Sequence, residues 1–350
     1  MPNNTAWDAE FDLVIVGSGG GSMCAALAAK QLGKQALIVE KQALVGGSTG
    51  FSGGVWWVPN NPVMRRAGVA DSAERARRYL DAAVTYDGPG TSPARRDAFI
   101  RTGPKMVEFL EAQGMKFVYA DGWSDYYDEL PGGEPRGRSL LAELFDTREL
   151  GEWESKLSRY KGFSLPVPTD QFPDLMLAKR TWRGKKRALA LVGRMIRGKL
   201  SGARLAGAGA AIQGRMLQIA LRQQVPIWTG AALEELIVED GKVVGVSVKR
   251  DGKLVRVQAR DGVLLNVGGF SRSAKMRERF QPQPSSANWT NANLGDTGEA
   301  IEMAMALGAA VDCMDEAWWV VTSLGPDGQP PRPGGYAADG TPLPFMHHLD

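Results

Sequence analysis

Histidine is nearly missing from this chain: its 350 residues contain two, His347 and His348, side by side near the carboxyl end. Cysteine is equally scarce, with Cys24 and Cys313 alone. These gaps exclude much chemistry. A structural zinc site needs four cysteine or histidine ligands, and a Ser-His-Asp triad needs a histidine inside the fold. No metal site is therefore expected, and catalysis falls to a cofactor, to carboxylates or to tyrosines. Two cysteines make no disulfide framework, which fits a reducing, cytoplasmic setting. The first ten residues lack the apolar core of a signal peptide, and no apolar run approaches the ~18 residues of a membrane span. A strong excess of one charge is lacking too. The net +3 is too small to imply a nucleic-acid partner.

What the chain has in excess is glycine, with 43 residues, about twice the usual share of ~7%. No collagen-like period organises them, so they point to turns and to ligand sites lined by backbone. The length, with 43% hydrophobic and 23% charged residues, suits a soluble globular protein of more than one domain, or one large domain with an insertion.

The first cluster lies in FDLVIVGSGGGSMCAALAAKQLGKQALIVE, residues 11–40. A β-rich run, 13–16, ends abruptly at Gly17; an alanine-rich helix former follows, and a second strand, 36–39, ends in Glu40. Strand, glycine turn, helix and strand form the βαβ unit that binds the ADP part of a dinucleotide. Gly17 makes the tight turn, and Gly19 lets the backbone approach a pyrophosphate. Ser22 stands at the third glycine position, where a small residue permits close helix–strand packing. The amides at the helix start face the phosphates. Glu40 lies 23 residues after Gly17, near the ~20 expected for an acid that hydrogen-bonds ribose hydroxyls. Its charge argues against a 2′-phosphate and hence against NADP. The plainer alternative is a tight βα turn with an incidental glutamate.

Residues 45–61, VGGSTGFSGGVWWVPNN, bear on which dinucleotide. Past its ribose acid an NAD-binding chain runs on into ordinary helix, whereas here glycine returns at once. The amides of this stretch and the hydroxyls of Ser48 and Thr49 can reach a pyrophosphate and the inner edge of a flavin, and Gly53 and Gly54 leave room for a flat ring. The run from Glu40 through GGSTGFSGG resembles the flavoproteins of the fumarate reductase/succinate dehydrogenase superfamily. Within it, SGGVWWVPNN resembles the 3-ketosteroid dehydrogenases, and the similarity extends, with gaps, from about residue 11 to about residue 328.

That resemblance implies an α/β fold: a Rossmann-like FAD-binding domain, 1–317, with a parallel sheet plus an antiparallel β-meander, followed by the start of an incomplete substrate domain, 318–350. It implies FAD held non-covalently, since no internal histidine is available for the covalent bond of succinate dehydrogenases. The cofactor-binding candidates are Gly17, Ser18, Gly19, Gly20, Gly21, Ser22, Glu40, Lys41, Gly46, Gly47, Ser48, Thr49, Ser52, Gly53 and Gly54. In the family, backbone near Leu233 touches the adenine, and Gly268 with Gly269 makes a third contact with the dinucleotide.

Further along, 72–84 and 95–113 read as helices, the first opened by Asp71 with Glu74 as a capping pair. Residues 119–139 change to aromatics, acids and glycine–proline turns, a texture common in functional loops. The segment SDYYDELPGG resembles the loop that ketosteroid dehydrogenases place over the steroid, which makes Tyr126 the catalytic candidate and Tyr127 a substrate-lining one. A tyrosine works as an acid–base group only if its ordinary pKa of ~10 is lowered, and both rings could simply pack the loop.

Residues 175–206 hold ten Lys or Arg and no acid, with Leu189, Val192, Met195, Ile196 and Leu200 at helical spacing. Such a helix can lie on an anionic membrane, or be a solvated helix packed on the domain. In 225–267 three strands are expected, turned at Asp240-Gly241 and Asp251-Gly252, with VLLNV, 263–267, as a fourth.

Fumarate reductases carry a histidine–proline–threonine grip for a dicarboxylate near the place where this chain has Trp318 and Trp319. Indoles there imply a flat, apolar substrate, lined also by Trp57 and Tyr127, unless these tryptophans are core. The reaction implied by the family is C1–C2 dehydrogenation of a 3-ketosteroid, with hydride to flavin N5, proton removal by a tyrosine, and an electron acceptor as partner. The tail after SLGPDGQP matches nothing expected there, so the chain reads as truncated or frameshifted. An inactive FAD- or ADP-binding fragment, or a flavin reductase of another apolar enone, are the alternatives.

Overall fold

The computed structural model describes residues 6–159 and 165–317. The β-branched run before Gly17 forms β1 (Ala9–Val16), the alanine-rich run forms α1 (Gly20–Gln31), and the next apolar run forms β2 (Ala36–Glu40). Val14, Ile15, Val16 and all of β2 are buried, as strands covered on both faces must be. There follow α2 (Gly47–Phe51), β3 (Trp56–Trp57), α3 (Pro62–Arg66), α4 (Ala73–Ala83), α5 (Pro93–Gln113), β4 (Phe117–Tyr119), β5 (Ser139–Ala142) and β6 (Phe145–Asp146). α6 (Phe172–Met176) leads into the basic segment, which supplies α7 (Trp182–Ser201), then come β7 (Leu205–Ala206) and α8 (Ala208–Arg222). The remaining elements are β8 (Ile227–Thr229), β9 (Ala231–Glu239), β10 (Lys242–Arg250), β11 (Lys253–Leu265), α9 (Ala274–Phe280) and α10 (Glu299–Ala306).

Six strands make the main sheet in the order β8-β2-β1-β11-β10-β9. The first four run parallel, and β11, β10 and β9 pair antiparallel. This is the expected parallel sheet with a meander. Both residues of each hairpin turn have positive φ, 48° and 74° at Asp240 and Gly241, 51° and 78° at Asp251 and Gly252. Two-residue turns of this hand match the twist of the strands they join.

Two local expectations are corrected. The runs 254–259 and 263–267 are not separate strands: β11 is one 13-residue strand, antiparallel to β10 at its start and parallel to β1 at its end. Gly262, at φ 143°, and a register shift opposite Phe11–Leu13 absorb the irregularity, so pairing continues through it. Nor does Asp71 cap α4. Ser72 does, accepting the Arg75 N–H at 3.1 Å, while Asp71 turns inward to Arg138.

Behind the glycine turn, α8 is buried along twelve of its fifteen residues and packs on α1 and α2. Approach to α2 is close enough that a Cβ on Gly209 would lie 2.0 Å from the Thr49 carbonyl oxygen. A second, three-stranded sheet, β3-β5-β4, carries the tryptophan pair. The chain divides into two compact units, Met1–Asn266 and Val267–Asp350. That division falls inside the 1–317 segment assigned to one domain, and the expected substrate domain from 318 lies outside the described residues. Among the described residues no helix is long and apolar enough to cross a membrane.

Candidate functional site

The turn after β1 is built as its sequence requires. Gly17 adopts φ 94° and donates its N–H to the Val39 carbonyl at 2.8 Å, which ties the turn to β2. Buried Ser18 donates to Glu40 Oε2 at 2.5 Å and accepts the Gly46 N–H at 2.9 Å. Glu40 Oε1 accepts the Gln42 N–H at 2.9 Å. Glu40 is thus a buried joint between the first turn and the second glycine cluster, with one lone pair of each oxygen still to give. Thr49 accepts the Gly20 N–H at 2.9 Å. Neither a Gly19 side chain nor an acid in the first turn otherwise offsets the positive start of α1.

The second cluster is equally fixed. Gly46 has φ 123°, and a Cβ there would sit 2.6 Å from Gln213 Cγ. Gly54 has φ 69°, and its Cβ would lie 2.4 Å from the Ala208 carbonyl carbon. Ser52 donates to the Thr49 carbonyl at 2.8 Å and accepts the Gly54 N–H at 3.1 Å; Thr169 donates to the Gly53 carbonyl. Gly47, by contrast, faces open space. Gly17–Ser22, Glu40 and 46–54 therefore form one hydrogen-bonded surface, with Lys41 and Ser48 at its margin.

Sequence reasoning missed two members of this surface. Gln213 is fully buried, donates Nε2 to the Ser18 carbonyl at 3.0 Å, and leaves Oε1 without a partner among the described residues. Its signal was a glutamine set among the small residues that open α8. Asn266 donates to Ser22 Oγ at 2.7 Å, so Ser22 serves packing and polarity together. Leu233 lies buried inside β9, opposite Val248, rather than ahead of the strand. Gly268 and Gly269 belong to the second unit and are exposed; Gly268 has φ 71°, with Asp296 Oδ1 2.3 Å from where a Cβ would stand.

The aromatic loop is held by buried charge. Trp57 Nε1 donates to Asp125 Oδ1 at 2.8 Å, and Asp125 Oδ2 accepts the Glu134 N–H at 3.0 Å and Arg138 Nη1. Arg138 forks onto Asp71 at 2.8 and 2.9 Å and reaches the Gly132 carbonyl at 2.8 Å. The side chains of Arg138, Asp71 and Asp125 have no exposed surface. Burial pushes the Asp125 carboxyl above the usual range, against the pull of the Trp57, Arg138 and Glu134 donors. Burial also disfavours the Arg138 cation, but hydrogen bonds and charges from Asp71 and Asp125 outweigh it and raise its pKa.

Trp57 further stacks on Phe99, centroids 5.9 Å apart and planes nearly parallel, so its indole anchors the loop. Tyr127 donates its backbone N–H to Tyr79 Oη at 3.2 Å. Tyr126 stands outside the clamp, 62% exposed, its ring 6.2 Å from that of Tyr127. Tyr119 is the opposite case: its hydroxyl faces the Arg136 and Gly137 carbonyls at 2.8 and 2.9 Å, and burial pushes its pKa up to about 12. Trp318 and Trp319 lie outside the described residues.

A glycine turn, a second glycine cluster and a parallel sheet with a meander define a dinucleotide-binding flavoprotein fold. Residues 12–349 match the FAD binding domain family, and the chain belongs to it. It is similar to the 3-oxosteroid 1-dehydrogenases of Mycolicibacterium smegmatis, 38% identical over 320 residues, and of Mycobacterium tuberculosis, 39% identical over 319 residues. Each alignment covers 89% of this chain and 56% of the relative. Among solved structures it resembles the 3-ketosteroid Δ1-dehydrogenase of Sterolibacterium denitrificans in complex with 1,4-androstadiene-3,17-dione, with TM-score 0.81 and 33% identity over 91% of this chain and 58% of that one. The chain spans about half the length of these relatives.

The residues present fit FAD. A helix start with no acid in its first turn suits a pyrophosphate, and Gly47 keeps one flank of the cradle open.

Proposed function

We propose that this chain serves an FAD-dependent oxidoreductase that introduces a carbon–carbon double bond beside the ketone of a 3-ketosteroid, between C1 and C2. The observation that carries the reading is that one compact unit holds both the glycine cradle and an exposed Tyr126 on a clamped aromatic loop. Its similarity to enzymes bearing that name, across 89% of the chain, supports the substrate class.

FAD, held non-covalently, supplies the hydride acceptor when bound. The amides at the start of α1 receive its pyrophosphate, and Glu40 offers its spare lone pairs to ribose hydroxyls. Trp57 and Arg138 fix the loop so that Tyr126 offers its phenol to the steroid, with Tyr127 beside it. Reoxidation requires an electron acceptor, and a steroid that dissolves in lipid favours working beside a membrane.

The test is the visible spectrum of the purified chain before and after desalting, followed by anaerobic titration with 4-androstene-3,17-dione. A retained flavin band that bleaches on adding steroid is expected. Retention without bleaching would leave an FAD-binding module without steroid turnover, and loss of the band on desalting would remove the cofactor assignment from the cradle.

A further inference from the structure

The helical segment α6–α7 leaves the second glycine cluster and returns to it. Before it, Thr169 is buried and donates its hydroxyl to the Gly53 carbonyl. After it, the start of α8 closes on the residues either side of Gly53. Gly209 donates its N–H to the Ser52 carbonyl at 2.9 Å, and the Ala208 backbone leaves no room for a Cβ on Gly54. The two ends also hold each other, because Gly207 donates its N–H to the Leu165 carbonyl at 3.1 Å. Among these contacts Ala208 adopts φ 52°. A residue with a Cβ stays there only where its surroundings over-determine the backbone, and such strain collects at ligand sites.

The strap 165–171 is itself braced. Thr169–Gln171 forms a single helical turn, the Gln171 N–H meets the Pro168 carbonyl at 3.0 Å, and Val167 ahead of it is buried. Arg194 of α7 straddles Thr169: Nη1 donates to the Pro166 carbonyl at 2.6 Å and Nη2 to Gln171 Oε1 at 2.8 Å. A planar guanidinium holds two acceptors in one fixed geometry, so the two flanks of Thr169 are kept together.

The consequence falls on two peptide planes. A trans peptide points its C=O and N–H to opposite sides. With the Ser52 and Gly53 carbonyls tied to Gly209 and Thr169, the N–H groups of Gly53 and Gly54 are turned the other way. The Gly54 N–H meets Ser52 Oγ at 3.1 Å, and the Gly53 N–H has no partner among the described residues. Glycines without such ties would sample several orientations of each peptide.

We propose that Thr169 is a positioning residue for FAD: its hydroxyl sets the Gly53 peptide, and Arg194 holds Thr169 in place from α7. The inference rests on the cradle holding FAD and stands whether or not the chain oxidises steroids.

The test is titration of the flavin-free 350-residue chain with FAD, followed by flavin fluorescence, for the unaltered chain and four variants. Thr169→Val keeps the shape and removes the donor, and should raise the FAD dissociation constant about tenfold, the size of one lost hydrogen bond. Thr169→Ser keeps the donor and should bind FAD as the unaltered chain does. Arg194→Met should weaken binding about two- to fivefold alone and add nothing to Thr169→Val in the double variant, since both act on one contact. If Thr169 only fills space, serine, which lacks the methyl group, binds poorly and valine is harmless. That result would overturn the proposal, as would unchanged affinity in Thr169→Val or an Arg194→Met effect that adds in full, and each would leave FAD in the cradle. A chain that takes up no FAD would overturn the cofactor's placement and the proposal together. Circular dichroism checks folding; should Thr169→Val not fold, Arg194→Met, at a half-buried side chain, decides by its own FAD affinity.

Discussion

The glycine cradle and the aromatic loop are held in opposite ways. The cradle is fixed by backbone: positive φ at Gly17, Gly46 and Gly54, hydroxyls that bridge amides, and contacts too close for any Cβ. The loop is fixed by an ion cluster without exposed surface, Asp71–Arg138–Asp125, with an indole N–H as its fourth member. The first arrangement suits a rigid ligand whose phosphates never change. The second gathers segments distant in sequence around a ring that must meet a substrate. If the contrast is real, damage to one system spares the other.

The largest expected effect comes from Arg138→Met, which strands two buried carboxylates and should cost about 3–5 kcal/mol in urea unfolding. Folded molecules should still retain flavin; loss of flavin from the folded fraction would merge the two systems into one. Next is Gly54→Ala, where a methyl group meets the Ala208 backbone at φ 69°. About 2–4 kcal/mol is expected, together with a weaker flavin band after desalting, because this change strikes the cradle.

A smaller effect is confined to alkaline pH. Tyr119 is raised from an ordinary value near 10 to about 12. The stability it contributes is complete below about pH 10 and is lost as pH rises through about 12. Urea midpoints should fall across that window, and Tyr119→Phe should flatten this part of the fall. Tyr126→Phe should change stability least, within about 0.5 kcal/mol, because the ring is mostly exposed. It should nonetheless slow steroid-driven bleaching by about 100-fold with flavin retention unchanged. A Tyr126→Phe chain that bleaches at the original rate would take that residue out of the chemistry.

Legibility followed the same division. Turns, hairpins and the βαβ unit are written locally, in residues that tolerate positive φ and in β-branched runs, so the sheet and most of the cradle were readable. The ion cluster was not, because Arg138 meets Asp71 across 67 residues and Asp125 across 13, with no shared spacing. Asp71 read as a helix cap because it precedes a helix, and only the fold shows that Ser72 takes that task. β11 read as two strands because Gly262 interrupts its apolar pattern, while its hydrogen bonds come from two different partners. Trp57 read as a substrate wall; its indole N–H is committed to Asp125, a bond no periodicity foretells.

That long strand also sets the order of events on the ribosome. Arg260 in β11 hydrogen-bonds Asp12 in β1 across 248 residues. At ~5–20 residues per second, β1 leaves the ribosome roughly 12–50 seconds before the partner that closes its second edge is made. Until then β2 can cover one side only, and the other is an open strand edge in a crowded cell. A strand made this early is among the last to be sealed, and whatever shields it in the meantime is as much a condition of folding as the residues themselves.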